Sequence, residues 1–165
     1  MTSLLLGSWV VSGLAAAATA RTPAPAPEAG TYRITSVASD TSLRAYRAGE
    51  AVFVSSTREN PGPFELWEIA RTGNGYTIKN VGLGLVGQPG YAEVRQTSAG
   101  DPVVTGDTPT TWSIEAAGGG THVIKVPAED LLWNVEPPVV PRGDVRLRQA
   151  NGSDVQRWRL TPVSG

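Results

Sequence analysis

Trp67-Glu68-Ile69, Trp112-Ser113-Ile114 and Trp158-Arg159-Leu160 are three versions of one phrase, a tryptophan two residues ahead of an aliphatic. The tryptophans stand 45 and 46 residues apart. Upstream of each lies a second marker, Tyr32-Arg33-Ile34, Tyr76-Thr77-Ile78 and His122-Val123-Ile124, whose isoleucines are 44 and 46 residues apart. Two independent markers that keep one period describe a structural repeat, read here as residues 30–74, 75–120 and 121–165.

Both markers alternate polar and apolar residues, the period of a strand with one buried face. Between them each copy holds two further apolar runs: Leu43 to Tyr46 and Ala51 to Ser55, Leu83 to Val86 and Ala92 to Thr97, and Leu131 to Val135 and Val145 to Ala150. Four strands per copy give twelve. The joints carry turn residues, among them Gly49-Glu50, Asn60-Pro61-Gly62, Gly73-Asn74-Gly75, Pro89-Gly90, Gly118-Gly119-Gly120, Arg142-Gly143 and Asn151-Gly152. One copy cannot cover its own apolar face, whereas three closed about an axis cover it and remove the sheet edges. The expected fold is therefore all-β, a β-trefoil. Its core would hold Tyr32, Ile34, Trp67, Ile69, Tyr76, Ile78, Trp112, Ile114, Ile124, Trp158 and Leu160.

The chain of 165 residues fits one such domain with an N-terminal tail. Residues 1–20 carry no charged side chain, contain Leu4-Leu5-Leu6 and end Ala18-Thr19-Ala20, the small-x-small pattern of a signal peptide. Residues 21–29 alternate proline and alanine and read as an extended linker. A secreted protein, with no membrane anchor after signal removal, follows as the expectation. The 19 glycines and 13 prolines exclude a helical bundle. With 14 basic against 15 acidic residues there is no field to hold nucleic acid, and with no cysteine there is neither disulfide nor thiolate site.

Catalysis is poorly supplied. His122 is the only histidine and takes the place of the first-strand tyrosine of the other copies, a position for packing rather than for a base. No spacing suggests a metal, a phosphate loop or a nucleophile elbow, so neither a cofactor nor an enzyme is expected. Binding by loops on a rigid scaffold remains. Two loops present arginine: Arg44 and Arg47, flanking Tyr46, in the first copy, and Arg142 after the proline-rich run Pro137 to Pro141 in the third. The third copy also holds Gln156-Arg157-Trp158, the Gln-x-Trp phrase of ricin-type lectin repeats, with Asp130, Trp133 and Asn151 in positions suited to hydroxyl recognition and stacking. Asn151-Gly152-Ser153 is in addition a glycosylation sequon.

The runs Gly30-Thr31-Tyr32-Arg33-Ile34, Leu66-Trp67-Glu68-Ile69 and Gly75-Tyr76-Thr77-Ile78-Lys79-Asn80, with the closing Val145 to Val163 segment, resemble the fungal β-trefoil serine-protease inhibitors of the cospin and cnispin type. That resemblance implies a monomer that blocks a trypsin-like serine protease by presenting one basic residue on a protruding loop. Of that family's two inhibitory loops, the one at residues 151–155 has no Lys or Arg here, so the resemblance points to Arg47, with Arg44 and Tyr46 beside it. The alternative is a ricin-B-like lectin whose glycan partner meets Asp130, Trp133, Asn151 and Gln156.

Overall fold

The computed structural model describes residue 13, residues 26–57 and residues 59–164. Twelve strands fall in these residues: β1 (Gly30–Ser36), β2 (Leu43–Arg44), β3 (Phe53–Ser55), β4 (Leu66–Thr72), β5 (Gly75–Asn80), β6 (Tyr91–Glu93), β7 (Val104–Gly106), β8 (Ser113–Gly118), β9 (Thr121–Lys125), β10 (Leu131–Val135), β11 (Arg142–Gln149) and β12 (Trp158–Pro162). One short helix, α1 (Val81–Leu85), and two single 3-10 turns at Gly62–Glu65 and Asp154–Gln156 complete the regular structure described.

The phrases that open and close each repeat form a closed barrel. β1 pairs with β4, β4 with β5, β8 with β9, β9 with β12 and β12 with β1, all antiparallel. The ring closes between β5 and β8 through Tyr76 and Trp112, whose backbones exchange hydrogen bonds of 2.8 and 2.7 Å. No room for a side chain exists at this seam, since a Cβ on Gly75 would stand 2.4 Å from the Trp112 carbonyl oxygen. The inner strands make three hairpins, β2–β3, β6–β7 and β10–β11. β3 pairs with β11, Ala51 bridges Val104 and Pro102 bridges Arg146, so each hairpin touches both others and together they cap one end of the barrel.

The expected core residues are buried, with Leu160 only partly so. Each closing tryptophan makes the same bond: the indole N–H of Trp67 donates to Leu43, that of Trp112 to Ala92 and that of Trp158 to Trp133, always to a second-strand carbonyl of its own repeat. The threefold relation therefore extends to side-chain hydrogen bonding.

The second repeat departs from the sequence reading. Leu83 to Val86, expected as a strand, belongs instead to α1, because the buried Asn80 caps it, accepting from the Leu83 amide at 3.0 Å and donating to the Phe64 carbonyl at 2.8 Å. The second strand of that repeat is thus β6, overlapping the start of the run expected as the third, and the third is β7. Arg142-Gly143 is not a turn but the start of β11. Of the N-terminal expectations, the signal segment lies outside the described residues except for Gly13, as do residues 21–25 of the linker. Residues 26–29 have no strand or helix, and Pro27 is buried against the barrel, where the Tyr32 hydroxyl donates to the Glu28 carbonyl at 2.7 Å.

Candidate functional site

The first-copy loop separates its three expected residues. Arg44 belongs to β2 and is only 4% exposed, with its guanidinium turned back onto the Ser42 carbonyl and hydroxyl at 3.4 and 3.3 Å. It is not available to a partner, because the packing around the hairpin covers both residues of β2, Leu43 and Arg44 alike. Tyr46 lies edge-on to Phe53 and Phe64, both at 5.6 Å, and its hydroxyl donates to Glu59 at 3.2 Å. Burial pushes its phenol above the ordinary value, with Arg44 opposing and Glu59 adding to the effect. Arg47 alone of the three is exposed. The backbone around it is pinned: the Arg47 carbonyl accepts from the Thr105 hydroxyl at 3.1 Å, the Gly49 amide donates to the Thr105 carbonyl at 2.7 Å and the Ala48 amide donates to Gln88 at 3.3 Å.

Arg142 is exposed at one edge but engaged. Its guanidinium lies 3.7 Å from the centre of the Phe53 ring, pairs with Asp144 at 2.9 Å and reaches the Ala51 carbonyl at 3.4 Å. These contacts tie it to the barrel cap and correct its expected role as a free loop arginine.

The third-copy residues are divided among three environments. Trp133 is fully buried between Trp112 and Trp158, with ring centres 5.1 and 6.4 Å away and planes nearly perpendicular. It has no face for a sugar, which corrects its expected role: on β10 it takes the inward position. Gln156 is 1% exposed and both ends of its amide are taken, Oε1 by the Asn151 amide at 2.9 Å and Nε2 by the Gln149 carbonyl at 2.8 Å. It therefore shapes the 149–156 loop from beneath. Asn151 accepts from the amide and hydroxyl of Ser153 at 2.9 and 2.7 Å, so its own side chain closes the turn.

Asp130 and Gln156 line one cavity of about 330 Å³. Its floor is apolar, formed by Val123, Leu132, Ala117 and Ala150, and its rim carries Glu115, Lys125, Ser153 and Arg157. Glu115 and Lys125 pair at 3.2 Å, and Arg157 leans on Asp154 at 3.4 Å. The exposed Asp130 carboxylate makes no hydrogen bond or ion pair among the described residues, and none of those lining the cavity is aromatic. Sequence reasoning missed Glu115 and Lys125. They come from strands β8 and β9 of different repeats, and only the pairing of those strands brings them to the rim. His122 sits on β9 opposite Trp158 and Ala116, a half-buried barrel position. The described residues contain no group of three or more metal-ligating side chains.

The architecture matches solved structures over nearly their whole length. The designed threefold protein ThreeFoil superposes with a TM-score of 0.69 at 20% identity, covering 81% of this chain and 99% of that one. The Macrolepiota procera ricin B-like lectin, solved in complex with lactose, gives 0.70 at 20% identity, covering 85% and 100%. The Rhizoctonia solani agglutinin gives 0.70 at 23% identity, covering 86% and 100%. The fold is a β-trefoil. At these identities the likeness concerns the fold and not the activity. No family model matches the chain, and no curated protein matches it by sequence.

Proposed function

We propose that this β-trefoil is a carbohydrate-binding module that takes a glycan, without catalysis, at the third-repeat cavity. The observation that carries the reading is the Asp130 carboxylate, unengaged at the rim of a cavity with an apolar floor. Sugars present hydroxyl donors on one side and C–H surface on the other. A carboxylate accepting two hydroxyls beside Leu132 and Val123 meets both needs. Proteins of the same fold are described as lectins, among them the lactose-bound protein from Macrolepiota procera and one from Polyporus squamosus. Without an aromatic plate, binding at this cavity leans on hydrogen bonds more than on stacking. Glycan-array binding followed by calorimetric titration tests the reading. Asp130→Ala is expected to weaken the bound glycan by about 10- to 100-fold, the worth of a charged hydrogen bond, with an unchanged melt. Full binding by this variant removes the third-repeat site.

One observation favours a second reading, inhibition of a trypsin-like protease: Arg47 is exposed on a loop whose backbone is pinned by three hydrogen bonds. A preorganised loop loses little entropy on docking, and a basic side chain suits an acidic specificity pocket. Trypsin titrated with the protein and with Arg47→Ala separates the two, since inhibition lost only in the variant supports this reading and an absence of inhibition ends it. Either role belongs outside the cell. We accordingly propose removal of residues 1–20, so that N-terminal sequencing of the secreted chain should begin at Arg21.

A further inference from the structure

We infer that the glycan site has two lobes and takes a chain of at least two sugars, laid over the side of β10 that carries Leu132 and Asn134. The inference rests on the carbohydrate reading and names its ligand class. Beside the Asp130 cavity lies a second one, of about 590 Å³, whose lining includes Asn134, Arg148, Asn151 and Ala99. Ala150 lines both. The two cavities are joined by strand geometry. Leu132 and Asn134 are alternate residues of β10 and so share one of its faces, while Trp133 between them points into the core and Asp130 lies in the bend just before the strand. Asp130 and Leu132 line the first cavity and Asn134 the second, a step of roughly 7 Å per two residues along the strand.

Across the hairpin Arg148 stands opposite Leu132, on the same face, and lines the second cavity. Its Nε is held by Glu136, which leaves the terminal nitrogens of the guanidinium as further donors. Each cavity is the size of a small-ligand pocket. The first supplies a carboxylate acceptor on apolar ground, the second the Asn151 amide and the Arg148 guanidinium as donors, the buried Asn134 amide being turned onto the Val135 carbonyl. A single sugar fills one lobe, and a glycosidically linked neighbour reaches the other without a new anchor, its attachment already fixing it nearby.

The test uses the full chain on an array in which each terminal sugar is displayed alone and at the end of its linear disaccharide and trisaccharide. Hits are then titrated in solution. At least one series is expected to gain about tenfold from one sugar to two or three. Ala99→Phe, which fills the second lobe from an exposed loop position, and Arg148→Ala should erase the gain and leave affinity for the single sugar unaltered. Asp130→Ala should weaken every member of the series. If the single sugar binds as tightly as the longer chains, or the gain survives both Ala99→Phe and Arg148→Ala, the two-lobed site is overturned while the carbohydrate reading stands. If no member of any series binds, both fall.

Discussion

At the residue scale the four core tryptophans are not equivalent. Trp67, Trp112 and Trp158 each place their indole N–H on a carbonyl, whereas the buried Nε1 of Trp133 has no acceptor among the described residues. Trp112 and Trp133 touch, so cavities made at either share neighbours. Trp112→Phe removes a satisfied donor and leaves the Ala92 carbonyl bare, for a loss of about 2 to 4 kcal/mol in denaturant melts. Trp133→Phe removes an unsatisfied N–H, which offsets most of its cavity, and should cost less than about 1.5 kcal/mol. Tyr46 gives a pH signature. Its folded pKa lies above the ordinary phenol value of 10.0, so the stabilisation is complete below that pH. It fades as pH rises through the folded value, because the unfolded chain ionises first. The denaturant midpoint should fall between about pH 9 and about pH 11, and less steeply in Tyr46→Phe. The first, second and fourth tryptophans were legible because they recur with the period. Trp133 was not, since only its strand neighbours decide that it points inward.

At the element scale the segment 81–106 shows where alternation misleads. Val81-Gly82-Leu83-Gly84-Leu85 alternates small and apolar residues as a strand does, yet it turns as a helix. Asn80 decides this, through its bonds to Leu83 and Phe64, and the Leu83 side chain is fully buried as a result. Asn80→Ala removes a cap and takes from the Phe64 carbonyl the nearer of its two donors, leaving only the Ala45 amide at 3.3 Å. A loss of about 2 to 4 kcal/mol in thermal or denaturant melts is expected, larger than for a surface cap. The barrel seam offers a second test. Gly75→Ala sets a methyl against the Trp112 carbonyl and should open the β5–β8 contact, seen as faster amide exchange at Tyr76 and Trp112 than elsewhere in the barrel.

At the scale of the whole molecule stability belongs to the closed ring, because β12 is held by β1 on one side and β9 on the other. A chain ending at Ala150 loses β12 and Trp158, bares two barrel edges and should give no cooperative melt or dispersed amide spectrum. A retained cooperative melt would show that two repeats and a fragment suffice. The period of the aromatic and aliphatic phrases, by itself, determined twelve strands, three repeats and the barrel core, because burial on one face writes itself into every second residue. The site was decided only by tertiary structure. Glu115, Lys125 and Asp130 come from strands β8 and β9 and the bend before β10, and no spacing records which of them share a rim. Arg44 and Arg47 are three residues apart and chemically alike, yet one is enclosed by its hairpin and the other meets solvent. Burial on one face leaves a periodic trace in a local run of residues, whereas a binding surface is assembled from side chains that meet only once the ring has closed.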